Sequence, residues 1–156
     1  MKKVVLFGVL ALGMAFAAHA QRVSNHALGV RLGDDDGFGA EISYQLGLFG
    51  NNRLEFDLGL RNGNGYDAFK LAGLYQWVLP LEGSFHWYVG VGGGIGSVDY
   101  DNSGSDSFAF IAGDIGIEYD FNIPLLLSLD FRPEIGFNDF NDDLGFDIGL
   151  GIRYQF

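Results

Sequence analysis

Residues 144–156, LGFDIGLGIRYQF, alternate strictly between apolar side chains and small or polar ones. One face of this stretch holds Leu144, Phe146, Ile148, Leu150, Ile152, Tyr154 and Phe156. The opposite face holds Asp147, Gly149, Gly151 and Arg153. A period of two is typical of a β-strand whose two faces meet different environments. A long strand is therefore predicted at this end of the chain.

The same alternation recurs upstream, and eight segments with this pattern follow one another from residue 26 onwards. They are residues 26–33, 38–46, 53–61, 66–78, 85–97, 108–119, 125–137 and 144–156. Short connections rich in Gly, Asn and Asp separate them, which is the pattern of consecutive antiparallel hairpins. Four of the connections contain most of the acid and glycine, and we expect them to lie together at the outer end of the strands. They are residues 34–37, 62–65, 98–107 and 138–143. Both chain ends are then expected at the opposite end of the strands.

Composition narrows the class of protein. The chain has 156 residues, which suits one domain, with 25 glycines, 15% aromatic residues and a formal net charge of -11. Such an apolar, aromatic chain is unlike a disordered one, and the acidic balance argues against a nucleic-acid partner. The absence of cysteine excludes disulfides and thiolate metal sites.

The two faces of the segments differ in chemistry, and this difference predicts which face is inside. The apolar face is uncharged, whereas the other combines glycines, such as Gly90, Gly92, Gly94 and Gly96, with charges. The charged residues are Arg31, Glu41, Arg53, Glu55, Asp57, Arg61, Lys70, Asp114, Glu118, Asp130, Arg132, Glu134, Asp147 and Arg153. Transmembrane barrels place apolar residues against lipid and polar ones in the lumen. We therefore predict an all-β, eight-stranded antiparallel up-and-down transmembrane β-barrel with these charges as a lumen network; the alternative is a soluble lipocalin-like barrel.

Aromatic residues cluster toward the two ends of the segments, as the two interfaces of a bilayer favour. One predicted rim consists of Tyr75, Trp77, Phe85, Trp87, Tyr119, Phe121, Tyr154 and Phe156. The other consists of Phe38, Tyr66, Phe69, Phe108, Phe137, Phe140 and Phe146.

The N-terminal stretch has the layout of a secretory signal peptide. Lys2 and Lys3 precede an apolar run of 15 residues, and Ala18-His-Ala20 forms a small-x-small cleavage site. The run is short for a membrane-spanning helix, which needs about 20 residues. We expect residues 1–20 to be removed, leaving residues 21–156 as the barrel domain.

The last eight residues, GLGIRYQF at 149–156, end in an aromatic residue. With the signal peptide and the eight strands, the chain resembles small outer-membrane β-barrels of the OmpX/OmpA kind, and most closely the porin-family-type barrels found in Bacteroidetes. The resemblance implies location in the outer membrane of a Gram-negative bacterium, in contact with lipid and lipopolysaccharide. It also implies that Ile152, Tyr154 and Phe156 form the C-terminal signal read by the barrel-assembly machinery.

The resemblance leaves the activity open, because barrels of this kind serve several functions. We expect a structural or surface-interaction role, no catalysis, no cofactor, no nucleic-acid partner and a monomer; the alternative is a narrow porin-like channel for ions or small solutes. No catalytic or metal-ligating residue is assigned. The calcium-loop-like run 99–104 lacks the glutamate needed at the twelfth position, where Phe110 stands. His26 and His86 lack the serine spacing of barrel deacylases.

Two local features carry expectations of their own. The four glycines of segment five are expected either to open space in the lumen or to receive bulky neighbours such as Tyr88 and Arg132. Pro133 lies inside segment seven. Because proline cannot donate a ladder hydrogen bond, it is expected to mark a bulge or the end of strand pairing.

Overall fold

The computed structural model describes residues 24–33, 39–137 and 144–156, and these residues form eight β-strands. The strands are β1 (His26–Gly33), β2 (Ala40–Gly47), β3 (Asn52–Gly63), β4 (Tyr66–Glu82), β5 (Phe85–Tyr100), β6 (Gly104–Asp120), β7 (Leu125–Gly136) and β8 (Leu144–Gln155). Each pairs antiparallel with the next, and β8 pairs with β1, so the sheet closes. The predicted eight-stranded antiparallel barrel is confirmed. In the described part of the chain, no helix is long and apolar enough to cross a membrane.

The barrel has two ends, which we name by the strands. The inner end is where β1 begins and β8 ends, and the outer end is where β1 ends and β2 begins. The inner end therefore holds the β2–β3, β4–β5 and β6–β7 turns. Phe38 and Phe140, predicted in the outer rim, lie outside the described residues, as do residues 1–20.

The central hairpins are longer than the hydrophobic alternation predicts. Most of the predicted loop 98–107 belongs to β5 and β6, with Val98 paired to Asp106 and Asp99 to Ser105. The turn is closed by Gly104 at a φ of 88°, a conformation that glycine adopts without steric cost. The predicted strands were too short because the apolar alternation ends where polar side chains begin. The backbone hydrogen bonds of the ladder do not depend on the type of side chain, so pairing continues.

Pro133 interrupts pairing on one side only. On the β8 side its register is unbroken, with Pro133 opposite Phe146. Toward β6, Ala112 pairs with Glu134 and Ile115 with Phe131, but within these described strands the positions between them are unpaired. Pairing with β6 is therefore interrupted at Pro133, as its missing N–H predicts, but no bulge forms, because pairing resumes in the same register. The register shift lies instead in the β4–β5 pair, between Pro80 and Glu82.

Polar groups fill the barrel and apolar groups cover it. Among the described residues, seventeen polar or charged residues and only eight apolar ones are buried. Outward apolar residues stay exposed in the isolated chain, for example Leu60 at 62% and Ile148 at 59%. A soluble β-barrel shows the reverse arrangement. The soluble alternative is therefore wrong.

Glycines on the inner face make room for large side chains. A Cβ on Gly149 would collide with the Arg31 guanidinium, and one on Gly116 would collide with the Tyr88 ring. On β5, Gly94 faces the Phe110 ring, with a distance of 2.5 Å from the position of its missing Cβ to Phe110 Cζ.

The β5 glycines do receive bulky neighbours, but not the ones expected. The position of a Cβ on Gly96 lies 2.7 Å from Cε1 of Phe108, and Gly90 faces Gln76. Phe108 therefore lies inside the barrel, and its assignment to the outer aromatic rim was wrong. Counted by twos along β6, Phe108 falls on the same face as Phe110 and Asp114.

We predict that Gly94→Ala lowers the free energy of unfolding by about 1–3 kcal/mol, because an added methyl group overpacks a filled interior. The new Cβ would meet both the Leu71 carbonyl oxygen and the Phe110 ring. Gly145→Ala is the matched control, since its nearest neighbour, the Glu134 carbonyl oxygen, is 3.9 Å away. Urea unfolding of both variants, refolded in detergent, tests the difference; equal stabilities would contradict the packing described here.

Candidate functional site

The charged residues predicted to face the lumen lie almost entirely inside the barrel. Twelve of the fourteen are buried: Arg31, Glu41, Arg53, Glu55, Asp57, Lys70, Asp114, Glu118, Asp130, Arg132, Asp147 and Arg153. Glu134 joins them with 15% of its side chain exposed. We call these thirteen residues the charge cluster. Arg61 is exposed and does not belong to it, because it lies beyond the last β2–β3 pair, Glu41 with Gly59.

Arg31 on β1 is one centre of the charge cluster. Its Nε donates to Asp130 Oδ1 at 3.0 Å, and its Nη1 donates to Asp147 Oδ2 at 2.5 Å and to Glu41 Oε2 at 3.2 Å. The side chain of Arg31 is fully buried. One guanidinium thus joins carboxylates from β2, β7 and β8, which suits the forked donor geometry of arginine.

Arg132 on β7 is the second centre and reaches across the lumen. Its Nη2 donates to Asp57 Oδ2 at 2.6 Å and to Glu55 Oε1 at 3.1 Å, both on β3. Its Nη1 lies 3.6 Å from Glu41 Oε2, the oxygen that Arg31 also contacts. The shared Glu41 carboxylate connects the two centres into one network.

Arg153 on β8 extends the network toward the inner end. Its Nη2 lies 3.2 Å from Glu55 Oε2. Its Nε donates to Ser43 Oγ at 2.9 Å, and its Nη1 donates to Ser128 Oγ at 2.7 Å. One charged and two neutral partners thus surround this guanidinium, which compensates part of the cost of burying its charge.

Arg53 forms the ion pair nearest to the inner end of the barrel. Its Nη2 lies 2.8 Å from Glu118 Oε2 on β6, and its Nε donates to Gln76 Oε1 at 2.6 Å. The Gln76 amide in turn donates to the Asp114 carboxylate. The Arg53 guanidinium also lies over the Tyr88 ring, 4.8 Å from its centroid. This geometry is a cation–π contact.

Toward the outer end, the lumen contains one ion pair and a group of apolar side chains. Lys70 Nζ lies 2.7 Å from Glu134 Oε2 and 4.8 Å from the centroid of the Phe110 ring. Phe110 packs with Ala72, Leu74, Ala112 and Phe108. Strands β4 and β6 supply these apolar side chains, which form a patch beside the charge cluster.

Several neutral polar residues of this site were not singled out in the sequence analysis. Ser43, Gln45, Gln76 and Ser128 are buried in the lumen. Gln45, for example, donates to Glu55 Oε2 at 2.6 Å. Each lies an even number of residues from a charged inward position on its strand. The period of two was thus sufficient to find them, although their chemistry gave no separate signal.

The two histidines of the described strands lie at the inner end of the barrel. His26 Nδ1 lies 2.8 Å from the Tyr44 hydroxyl, and its ring stacks on Phe156 with centroids 5.5 Å apart. His86 is buried opposite Glu118. Among the described residues, no group of three His, Asp or Glu side chains is placed to hold a metal ion.

No family model matches the sequence, and no curated protein matches it. Solved structures do match. The N-terminal β-barrel domain of Pseudomonas aeruginosa OprF has a TM-score of 0.69 at 15% identity, covering 85% of this chain and 98% of that one. This chain has the fold of the small outer-membrane β-barrels.

Two further barrels support the same fold. Ail, the attachment invasion locus protein of Yersinia pestis, has a TM-score of 0.59 at 16% identity and covers 85% of this chain and 97% of that one. Neisserial surface protein A has a TM-score of 0.59 at 12% identity, with coverages of 84% and 94%. At these identities the likeness establishes the outer-membrane barrel fold alone.

We predict that Arg132→Ala lowers the free energy of unfolding by about 3–5 kcal/mol, because removing one member of a buried ion pair leaves charge without compensation. Asp57 and Glu55 would lose their closest cationic partner. Arg61→Ala, the same change at an exposed arginine, is the control and is expected to shift stability by less than about 0.5 kcal/mol.

Urea unfolding of the two refolded variants in the same detergent checks the prediction. A double variant that also carries Asp57→Asn should recover part of the loss, because it removes a carboxylate that Arg132 neutralised. Equal stabilities of Arg132→Ala and Arg61→Ala would show that the network contributes nothing to folding.

Proposed function

We propose that this protein is an integral outer-membrane barrel with a structural or surface-interaction role, a closed interior and no catalytic activity. Residues 1–20 direct its export, and residues 21–156 form the barrel, which is a monomer in contact with lipid and lipopolysaccharide. The barrel-assembly machinery recognises the C-terminal strand through Ile152, Tyr154 and Phe156. In support, these three side chains all point outward and are exposed, at 39%, 59% and 62%.

The main support for a closed interior is that side chains of the charge cluster pair with each other across the lumen. Five buried basic side chains lie within 2.5–3.2 Å of carboxylate oxygens from other strands. An eight-stranded barrel is only wide enough for its own side chains. Arginines that reach across such a lumen occupy the space that a solute would need.

A lipid environment is supported by the outer surface. Its exposed aromatic residues form pairs at the inner end, such as Tyr75 with Trp77 at 4.9 Å and Phe85 with Tyr119 at 4.7 Å between ring centroids. Aromatic girdles of this kind lie at membrane interfaces. The largely apolar exterior would be costly in water.

A narrow channel is the second candidate, and one observation favours it. The charge cluster contains eight carboxylates against five basic groups, so its formal charge is negative. A pathway through such an interior would favour cations over anions. The channel therefore makes a distinct prediction about selectivity.

We expect the full chain, refolded into planar bilayers, to show no discrete current. Replacing Arg31, Arg132 and Arg153 together by serine removes the cross-lumen side chains and leaves the acids, so this variant should conduct with cation selectivity. Insertion is verified beforehand by the shift of unheated protein on a gel. Steady, discrete current through the unaltered chain would reverse the order of the two candidates.

The outer end has a charge pattern that bears on surface interaction. The outer connections and adjoining strand ends contain the ten acids Asp34, Asp35, Asp36, Asp67, Asp99, Asp101, Asp106, Asp139, Asp142 and Asp143. Arg61 is the base near them. One structure of Ail contains the heparin analogue sucrose octasulfate, a polyanion.

We predict that the present barrel does not bind sucrose octasulfate, because like charges repel at its outer end. Titration calorimetry of the detergent-folded protein at low salt checks this, since low salt gives electrostatic attraction its greatest range. Saturable binding that disappears in Arg61→Ala would contradict the prediction and indicate a local anion site.

A further inference from the structure

Exposed, large apolar side chains lie in two of the three turns at the inner end and beside the third. Leu48 and Phe49 lie between β2 and β3, Leu81 lies at the end of β4, and Phe121 and Ile123 lie between β6 and β7. Phe49 is 96% exposed, Ile123 61% and Leu81 52%. We call these five residues the apolar tips. Tight turns usually consist of Gly, Asn, Asp, Ser and Pro, so exposed apolar side chains in or beside all three inner turns call for a physical reason.

The outer turns of the described chain are different. Asn64 and Gly65 connect β3 to β4, and residues 101–103, Asp-Asn-Ser, connect β5 to β6. They contain no apolar side chain, and the large residues beside them, Tyr66 and Tyr100, carry a polar hydroxyl group. The apolar tips are therefore a property of one end of the barrel and not of its turns in general.

The apolar tips continue the outward, apolar surface of the strands. On β4 the outward positions Tyr75 and Trp77 are followed by Leu79 and then Leu81. On β6, Tyr119 lies 4.7 Å from Phe121 between ring centroids, and the tip Ile123 comes next on the same chain segment. The surface that faces lipid thus extends into the turns without a polar break.

The length of this surface exceeds a hydrocarbon layer. From Phe69 to Trp77 there are eight residues, which span roughly 21 Å along the barrel axis at about 3.4 Å per residue and a tilt of about 40°. Continuing to Leu81 brings the span to roughly 31 Å by the same geometry. The apolar band of transmembrane barrels is about 25 Å tall, so the tips reach the headgroup layer.

We propose that the apolar tips insert into the headgroup layer of the inner leaflet and hold the barrel at a fixed depth. This inference rests on the proposed outer-membrane function. The charged residues beside the tips in the described turns are the acids Glu82 and Asp120. Without a basic residue, these turns suit zwitterionic phospholipid better than an anionic surface.

Tryptophan fluorescence tests the insertion. The chain has two tryptophans, Trp77 and Trp87, and replacing both by Phe leaves room for one reporter. The full chain with Phe49→Trp in this background is refolded into phosphatidylcholine vesicles that carry bromine at defined acyl-chain depths. We expect blue-shifted emission, strong quenching by bromine near the headgroup end, weaker quenching by bromine near the chain end, and poor quenching by aqueous iodide.

Ser103→Trp in the same background is the matched control, because it lies in the outer β5–β6 turn among polar residues. Its emission is expected to be red-shifted and to be quenched by iodide. Brominated lipid should quench it only slightly. Ile123→Trp is a second reporter for the inner end, in case the variant at residue 49 does not fold.

Each other outcome overturns the inference in a recognisable way. Quenching of the inner reporters by iodide alone would place the turns in water. Protection from both iodide and bromine would show that protein, such as a second copy of the chain, covers the tips. Failure of every variant and of the unaltered chain to enter vesicles would instead contradict the proposed function.

Discussion

Pairing of charges inside a narrow barrel is the constraint on which the rest of this structure depends. A guanidinium in such a space must meet carboxylates, because a buried charge without compensation is costly. Arg31 and Arg132 meet this requirement with acids from four other strands between them, and they share Glu41. Each of these contacts exists only if the strands keep their register. Electrostatics inside the lumen and hydrogen bonding in the wall therefore specify the same arrangement.

Different kinds of side chain fill the lumen near different strands. Around β1, β2, β3, β7 and β8, long charged side chains fill the space, with glycines such as Gly149 beneath them. Around β4–β6, the Phe110 and Phe108 rings lie against Gly94 and Gly96. Lys70 connects the two regions through its contacts with Glu134 and Phe110. Both arrangements leave little room for a solute. This is the reason for proposing a closed lumen.

The exterior is under a weaker constraint than the lumen, and its ends carry the specific information. Lipid requires only that outward side chains be apolar, so Leu, Ile and Val serve equally along the strands. At the outer end the connections are acidic, whereas at the inner end they carry Phe49, Leu81 and Ile123. The two ends of the barrel therefore differ in chemistry along its axis.

Period-two patterning was enough to predict the strand number and the inward side of residues such as Arg31 and Glu55, because alternation follows from backbone geometry. It could not predict that Arg132 pairs with Asp57 or that Arg61 stands outside the network. Those contacts depend on strand tilt and stagger, which bring together residues 75 positions apart in the chain. The same holds for Phe108, which packs inside on Gly96, and for Pro133, which breaks only one ladder. Local patterning determines the face of a residue, whereas closure of the barrel determines which residues meet across the lumen.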